Sequence, residues 1–206
     1  MNSTITDPVL PADGLGVRRL EFKALGTNCL IKFRQPDERK ALEFAAAALG
    51  WIGKFEAKFS RFRPDSHVSR INAAAGREWV NTDPEMEELL EIADGLFTRT
   101  NGILDPTMLP LLNVWNWKTV HSKLPTHAEV KAALALTGWA KVRRRNGAVF
   151  LPEAGMGLDF GGFGKEFAVD SLAKIARSYG IRDGLVDLGR DIFSMGGRSE
   201  ERRVGK

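Results

Sequence analysis

Residues 157–165, GLDFGGFGK, contain the side chains and glycines of this chain best suited to bind an anion. The preceding pattern predicts a strand over residues 156–160, which would carry Asp159 to its carboxyl end. Three of the next four residues are glycines, so the backbone can turn sharply and a ligand can approach it closely. A helix is predicted to begin at Lys165, and its unpaired N–H groups would favour a phosphate or pyrophosphate. Lys165 could add a charge-assisted contact.

This segment matches neither of the two common phosphate-binding motifs. A P-loop has glycine six residues before the lysine and Ser or Thr after it, whereas this chain has Asp159 and Glu166. A dinucleotide fingerprint needs a third glycine, which does not follow Gly155-Met156-Gly157 at the required spacing. The residues alone leave two interpretations open, a phosphate site and a glycine-rich turn that binds no ligand.

The remaining sequence predicts the elements that would position this segment. A hairpin is expected over residues 18–33, with Leu25-Gly26-Thr27 at its middle, and a second over 141–151, turning at Asn146-Gly147. Other short strands are expected at 78–80, 185–188 and 192–195, and residues 103–118 are expected to be irregular. Helices are predicted at 36–62, 66–75, 84–100, 126–136 and 165–179. This mixture lacks regular βαβ alternation and predicts an α+β fold with mixed or antiparallel sheets and flanking helices.

Composition excludes several classes of protein. The 206 residues are 43% hydrophobic and 9% aromatic, which suits a globular protein with one sizeable core. The net charge is +4, and the four basic and two acidic residues of 198–206 supply +2 of it, so no basic face for nucleic acid is indicated. Residues 1–16 are expected to be a flexible lead-in without signal-peptide character. No apolar run reaches membrane-spanning length, and we expect a cytoplasmic location for the chain as written.

Isolated reactive side chains are expected to be structural. Cys29 is the single cysteine, so no intrachain disulfide can form, and its strand-like surroundings predict a buried, inert thiol. His67, His121 and His127 lack the spacing of metal ligands and are expected at the surface or in packing. Asp187 and Asp191 flank a predicted turn and are expected to cap it.

Five segments resemble motifs of the ApbE family, the FAD:protein FMN transferases, and they occur along this chain in the same order as in the family. Residues 158–170, LDFGGFGKEFAVD, resemble Asp-Leu-Gly-Gly-x-x-Lys-Gly-Tyr-Ala-x-Asp, and 185–192, LVDLGRDI, resemble Val-Asp-Leu-Gly-Gly-Asp-Ile. Residues 24–27, ALGT, are similar to Met-Gly-Thr. FSRFRPDSHVSRINA resembles Phe-Ser-x-Tyr-x-x-x-Ser-x-x-Ser-x-x-Asn, and GILDPTMLPLLNVWNWK resembles Gly-x-Phe-Asp-Pro-Thr-x-x-Pro-Leu-x-x-x-Trp. Each motif is weak alone, but the ordered set is specific.

The resemblance implies an ApbE-like fold in which FAD, the substrate, lies across the face that these segments build. The implied FAD-contacting residues are Leu25, Phe62, Ile103, Leu104, Asp105, Asp159 and Lys165. Gly162 aligns with a backbone carbonyl that binds Mg²⁺ in the family, and carbonyl oxygen suits this hard cation. Trp115 and Trp117 are expected to pack in the core or a loop in preference to stacking on the flavin.

The implied reaction is Mg²⁺-assisted transfer of FMN from FAD to a Ser or Thr hydroxyl of a target flavoprotein, with release of AMP. No catalytic side chain is assigned, and the oligomeric state is not predicted. Two alternatives stay open: a non-catalytic FAD- or nucleotide-binding module, and a structural α+β domain whose glycine turn binds nothing.

Three positions depart from the family motifs. Phe62 replaces Tyr and keeps the ring without the hydroxyl, and Glu166 stands where glycine is usual. Arg190 replaces the second glycine of the later motif, where it would either obstruct a close backbone approach or add a phosphate contact.

The resemblance also predicts that the domain is incomplete at the C-terminus. The family's remaining metal ligands, an Asp and a Thr or Ser, lie on a later segment, so residues 17–197 would be the N-terminal part of the domain and inactive by themselves. Residues 198–206, RSEERRVGK, correspond to a translated sequencing-adapter oligonucleotide, and we interpret them as a non-native tail. A natural basic tail is the alternative.

Overall fold

The structure, a computed structural model, describes residues 9–115 and 124–196. These residues divide between two compact units, one from residues 9–56 and 165–196 and the other from 57–115 and 124–164. The strands are β1 (Val9–Leu10), β2 (Val17–Ala24), β3 (Thr27–Arg34), β4 (Val80–Asn81), β5 (Arg143–Arg145), β6 (Ala148–Phe150), β7 (Gly184–Asp187) and β8 (Ile192–Met195). The helices are α1 (Glu38–Phe59), α2 (His67–Ala73), α3 (Pro84–Arg99), α4 (Leu109–Trp115), α5 (His127–Ala135) and α6 (Gly164–Ser178).

The first unit is built on a five-stranded antiparallel sheet in the order β1-β2-β3-β7-β8. Strands β2 and β3 form the predicted hairpin, in which Ala24 pairs with Thr27. The two loop residues, Leu25 and Gly26, both have positive φ, as a type I′ turn requires. On the sheet, Phe33 contacts Phe44 of α1 edge to face with ring centroids 4.9 Å apart, and in the same unit α1 packs on α6 through Phe55 and Phe167.

The second unit has a three-stranded antiparallel sheet in the order β4-β6-β5. Its core contains fully buried side chains from helices, strands and one extended segment: Val68, Ile71, Met86, Leu89, Leu90, Val149 and Leu158. Helix α3 begins as predicted, because Asp83 accepts a hydrogen bond from the Met86 N–H and Pro84 occupies the first helical position. Thr126 and Glu129 form a capping box that starts α5.

The α+β prediction is confirmed, and two local predictions are wrong. Residues 156–160 are not a strand: both backbone groups of Leu158 pair with the Asn72 side chain, and the Asp159 N–H donates to the Pro106 carbonyl. The backbone of this extended segment is thus hydrogen-bonded to a side chain and to a loop. A strand would instead be hydrogen-bonded to a neighbouring strand. Residues 103–118 are not wholly irregular either, since α4 lies within them. Pro110 is compatible with α4 because the first turn of a helix needs no intrahelical N–H bond.

Among the described residues, no helix is both long and apolar enough to cross a membrane. The predictions for residues 1–8, for Trp117 and His121, and for the tail at 198–206 lie outside the described residues.

Candidate functional site

The predicted site residues divide between the two units. Leu25 and Lys165 belong to the first unit, and the other six belong to the second: Phe62, Ile103, Leu104, Asp105, Asp159 and Gly162. In each unit, segments that are distant in sequence are brought into direct contact.

Asp159 is the residue on which the second unit's segments converge. Its Oδ2 forms an ion pair with Nε of Arg61, and the two side chains are only 13% and 18% exposed. Its Oδ1 accepts a hydrogen bond from the Gly161 N–H at 2.5 Å, and its own N–H donates to the Pro106 carbonyl at 2.8 Å. The carboxylate is therefore fixed in position and starts the glycine turn as an Asx-turn.

Asn72 holds the residue before Asp159. The side-chain amide of Asn72 donates to the Leu158 carbonyl at 3.0 Å, and its oxygen accepts from the Leu158 N–H at 2.7 Å. Asn72 lies in α2, whose N-cap Ser66 is fully buried and accepts from the Ser69 N–H at 3.0 Å. The Ser69 hydroxyl donates to the Arg61 carbonyl at 3.5 Å. These motif-like polar residues thus form the support for Asp159 and Arg61.

Asp105 organises the loop between α3 and α4. Its Oδ1 accepts from the Thr107 N–H at 2.8 Å and from the Thr107 hydroxyl at 2.5 Å, and its Oδ2 accepts from the Trp139 N–H at 3.1 Å. Thr107 is fully buried and accepts from the Gly138 N–H at 2.7 Å. The carboxylate of Asp105 therefore positions backbone, and the predicted FAD contact of its side chain stays a prediction.

The apolar residues of the predicted site are exposed or partly exposed. Ile103 is 89% exposed and Phe62 is 61% exposed. The guanidinium of Arg61 lies over the Phe62 ring, 4.2 Å from its centroid, so Arg61 contacts both Phe62 and Asp159. Leu104 is partly buried, and its N–H donates to the Thr100 hydroxyl at 3.0 Å.

The glycine turn is present as predicted. Residues 161–163 form a turn, and α6 begins at Gly164, whose N–H donates to the Phe160 carbonyl at 2.6 Å. Gly162 is exposed, and a Cβ placed there would meet no atom within 4 Å. Gly157 is different, because a Cβ there would lie 2.7 Å from Cδ2 of Leu109. Gly157 is therefore required by packing, whereas Gly162 leaves open space beside its backbone.

In the first unit, the β2–β3 turn meets the β7–β8 turn. A Cβ on Gly189 would lie 2.6 Å from Cγ2 of Thr27, so the two turns are in close contact. Lys165, in the first turn of α6, reaches the second turn through its Nζ, which is 3.6 Å from Oδ2 of Asp191. The three motif-like segments of this unit thus meet at one end of the sheet. Leu25 is partly buried at that end.

The β7–β8 turn contains a strained residue. Arg190 has a φ of +83°, and its N–H donates to Oδ1 of Asp187 at 2.7 Å. Asp187 therefore caps this turn, as the sequence predicted, whereas the carboxylate of Asp191 pairs with Lys165. The ion pair of Asp191 was not predicted from the sequence.

In the part of the chain that the structure describes, Cys29, His67 and His127 do not form a reactive centre. Burial raises the pKa of the Cys29 thiol to about 11, which keeps it protonated and unreactive at neutral pH. Nε2 of His67 donates to the Asn81 carbonyl at 2.8 Å, and His127 is exposed. Trp115 is 45% exposed at the end of α4. Within residues 9–115 and 124–196, no group of three or more His, Cys, Asp or Glu side chains could hold a metal ion.

Sequence reasoning missed Arg61 and Asn72. Asn72 was visible as the asparagine that closes the motif in the FSRFRPDSHVSRINA segment, but its hydrogen-bond partner lies 86 residues away, so its role could not be predicted from the local sequence. Arg61 occupies a variable position of the same motif and gave no signal of its own. Both become evident once Asp159 and its neighbours are located.

Comparison with known proteins places these contacts in a family context. Residues 25–205 match the sequence model described as the ApbE family. The chain is 30% identical over 182 residues to the FAD:protein FMN transferase of Treponema pallidum, covering 84% of this chain and 50% of that protein. It is 27% identical to the FAD:protein FMN transferase of Salmonella typhimurium, covering 86% of this chain and 52% of that protein. The chain thus spans about half the length of the curated relatives it matches.

Solved structures show the same fold. The structure is similar to the apbe protein of Thermotoga maritima, with a TM-score of 0.77, 29% identity and coverage of 87% of this chain and 59% of that chain. It is also similar in fold to the flavin transferase ApbE of Vibrio cholerae, with a TM-score of 0.81 at 24% identity, covering 92% of this chain and 60% of that one.

Proposed function

The chain belongs to the ApbE family, and we propose that it functions in FAD:protein FMN transfer. The observation that carries this proposal is the convergence of its motif-like segments. In the second unit they meet at Asp159, through Arg61, Asn72 and Pro106. In the first unit they meet where the Leu25–Thr27 turn, Lys165 and the β7–β8 turn come together. If these segments served only to form a hydrophobic core, polar side chains would not need to be held in position at these points.

In the proposed reaction, a Ser or Thr hydroxyl of a target flavoprotein attacks the FMN phosphorus of FAD. A new P–O bond forms to the hydroxyl oxygen, which loses its proton, and the P–O bond to AMP breaks. The products are a phosphoester-linked FMN on the acceptor and free AMP. The transition state places negative charge on phosphate oxygens, so fixed cations are the groups the protein must supply.

We propose that Lys165 supplies one such cation, with Asp191 holding its amino group in place. Asp159 is proposed to accept hydrogen bonds from FAD, and Arg61 to hold its carboxylate in orientation. Leu25, Phe62, Ile103 and Leu104 are proposed to contact the apolar faces of the ligand. Asp105 is proposed to act indirectly, by positioning the loop that carries Ile103 and Leu104.

The described residues fit Mg²⁺ only in part. The exposed backbone of Gly162, with open space beside it, could offer one carbonyl oxygen, which is the right type of ligand. The number of ligands does not fit, because no cluster of three or more acidic, His or Cys side chains occurs among the described residues. A bound Mg²⁺ would neutralise phosphate charge.

A second candidate function is a non-catalytic FAD-binding module, in which the same residues would bind FAD without transferring FMN. Both candidates predict FAD binding, which a structural domain without a ligand would lack.

Two measurements separate these candidates. FAD is titrated into the purified chain while flavin fluorescence is followed, with Asp159→Asn as the site variant and the exposed Asp65→Asn as its matched control. The chain is then incubated with FAD, MgCl₂ and an acceptor flavoprotein, and covalent flavin is detected by in-gel fluorescence. Absence of FAD binding would refute the proposed function, and covalent FMN that depends on Mg²⁺ would exclude the non-catalytic module.

A further inference from the structure

We propose that Arg190 is a phosphate-binding residue of the FAD site, which this chain has in place of a motif glycine. The inference rests on the proposed function and adds a ligand contact to it. Arg190 lies in the β7–β8 turn of the first unit, and all the contacts that support the proposal lie in that unit.

The backbone of Arg190 is the first reason. Its φ of +83° lies in the region that glycine adopts freely and other residues rarely adopt. The conformation is imposed by the turn, because the Arg190 N–H donates to Oδ1 of Asp187 at 2.7 Å. A glycine would form the same turn without strain. Strain of this kind persists mainly at functional sites, which indicates that the side chain of Arg190 has a task.

The position of Arg190 is the second reason. The preceding residue, Gly189, lies against Thr27 of the β2–β3 turn, so closely that a Cβ would be 2.6 Å from Cγ2 of Thr27. The following residue, Asp191, has its Oδ2 3.6 Å from Nζ of Lys165. The two residues that flank Arg190 therefore contact the two segments of this unit that carry the predicted FAD-contacting residues Leu25 and Lys165.

The charges of the turn are the third reason. Oδ1 of Asp187 is occupied by the Arg190 N–H, and Asp191 faces Lys165. Arg190 is exposed, and in the described part of the chain its guanidinium forms no ion pair or hydrogen bond. A planar guanidinium with several N–H donors matches a phosphate group, to which it can donate two parallel hydrogen bonds.

A phosphate of FAD is favoured over an acidic side chain of the acceptor protein. Nζ of Lys165 faces Asp191 of the same turn, so this turn carries one cationic side chain and contacts a second. A diphosphate has charge to engage both, whereas a single carboxylate matches one guanidinium. Docking of an acidic segment of the acceptor is the competing outcome in the test below.

The test compares FAD binding by the unmodified chain with binding by Arg190→Gln, Arg190→Lys and Arg190→Gly. Arg190→Gln removes the charge and keeps a side chain at the strained φ, so FAD affinity should fall about tenfold. Arg190→Lys should lose less, because it keeps the charge. Arg190→Gly should lose FAD affinity as Arg190→Gln does, yet unfold at a higher temperature because the strain is removed. Riboflavin, which has no phosphate, should bind all four proteins alike.

Arg182→Gln is the matched control, since Arg182 is an exposed arginine before the opposite end of β7, and FAD affinity should not change. Equal FAD affinity in the unmodified chain and Arg190→Gln would overturn the inference while leaving FAD binding intact. An unchanged FAD affinity combined with weaker acceptor binding would also overturn it, in favour of protein docking. Absence of FAD binding by the unmodified chain would refute both this inference and the proposed function.

Discussion

The side chain of Asn72 exchanges two hydrogen bonds with the backbone of Leu158, one donated at 3.0 Å and one accepted at 2.7 Å. The nitrogen and the oxygen of the Asn72 side-chain amide thus form the two hydrogen bonds that a neighbouring strand would otherwise supply. It fixes the residue immediately before Asp159, so the position of the candidate site depends on a side chain 86 positions earlier.

Replacing Asn72 with Asp should destabilise the protein strongly. One carboxylate oxygen could still accept from the Leu158 N–H, but the other would face the Leu158 carbonyl without a proton to donate. The cost should be about 2–3 kcal/mol of unfolding free energy, from one lost hydrogen bond and an unsatisfied carbonyl. Urea denaturation followed by tryptophan fluorescence measures it.

Asn146→Asp is the control for this substitution. Asn146 is exposed in the β5–β6 hairpin, and Asp-Gly suits that turn as well as Asn-Gly. Its free energy of unfolding should change by less than about 0.5 kcal/mol. Equal losses in the two variants would contradict the role assigned to Asn72.

Replacing Arg61 with Met should cost more than removing an ordinary surface ion pair. The Asp159 side chain is 13% exposed, so loss of its partner would leave a largely desolvated carboxylate beside Gly161. We expect a loss of about 2–3 kcal/mol in unfolding free energy. The double variant Arg61→Met with Asp159→Asn should recover part of this loss, because no unpaired charge remains. A double variant less stable than both single variants would argue against this pairing.

Two glycines of the same segment should respond oppositely to alanine. At Gly157 a Cβ would lie 2.7 Å from Cδ2 of Leu109, so Gly157→Ala should lower stability by about 1–3 kcal/mol through overpacking. At Gly162 the Cβ meets nothing within 4 Å, so Gly162→Ala should leave the melting temperature nearly unchanged. Thermal denaturation by circular dichroism checks both. A larger loss at Gly162 than at Gly157 would refute this reading of the turn.

His67 should make stability depend on pH. Burial lowers the pKa of His67 below its ordinary value of 6.5, and this outweighs the opposite effect of its hydrogen bond to Asn81. As pH falls below 6.5 the unfolded chain takes up a proton before the folded one does, so the free energy of unfolding decreases. The stability contribution is therefore present above pH 6.5 and lost as pH falls through the lower, folded-state pKa.

The measurement is the urea midpoint at about pH 7.5 and about pH 5.5, with and without His67→Gln. Glutamine can still donate to the Asn81 carbonyl but does not titrate, so the variant should show a smaller change between the two pH values. A variant with the same pH dependence as the unmodified chain would assign the effect to other groups.

The sequence predicted features that depend on local geometry. Asp83-Pro84 and Thr126 mark helix starts through capping, and Leu25-Gly26 and Asn146-Gly147 mark tight turns. The segment before Asp159 was mistaken for a strand because its apolar pattern indicates burial but does not indicate which groups hydrogen-bond to its backbone. Helix α4 was missed because residues 103–118 were expected to be irregular, although Pro110 lies in the first turn, where a helix tolerates proline.

The candidate site could be predicted only as a set of segments. Which residue of each segment touches which other depends on contacts such as Arg61 with Asp159, or Gly189 with Thr27, between positions far apart in the chain. The hydrophobic periodicity of a sequence does not indicate such contacts. The strain at Arg190 was equally hidden, since the motif showed an unusual residue but not the backbone angle that it adopts.

The buried position of Thr107 affects how mutational data on this protein should be interpreted. Its buried hydroxyl donates to Asp105 and accepts from the Gly138 N–H, so it joins the loop carrying Ile103 and Leu104 to a second loop. In an alanine scan scored by FAD binding, Thr107 would rank with the ligand-contacting residues although its role is to hold two loops together. Measuring a melting curve for each variant would show that Thr107, like Ser66, contributes to folding and not to ligand contact.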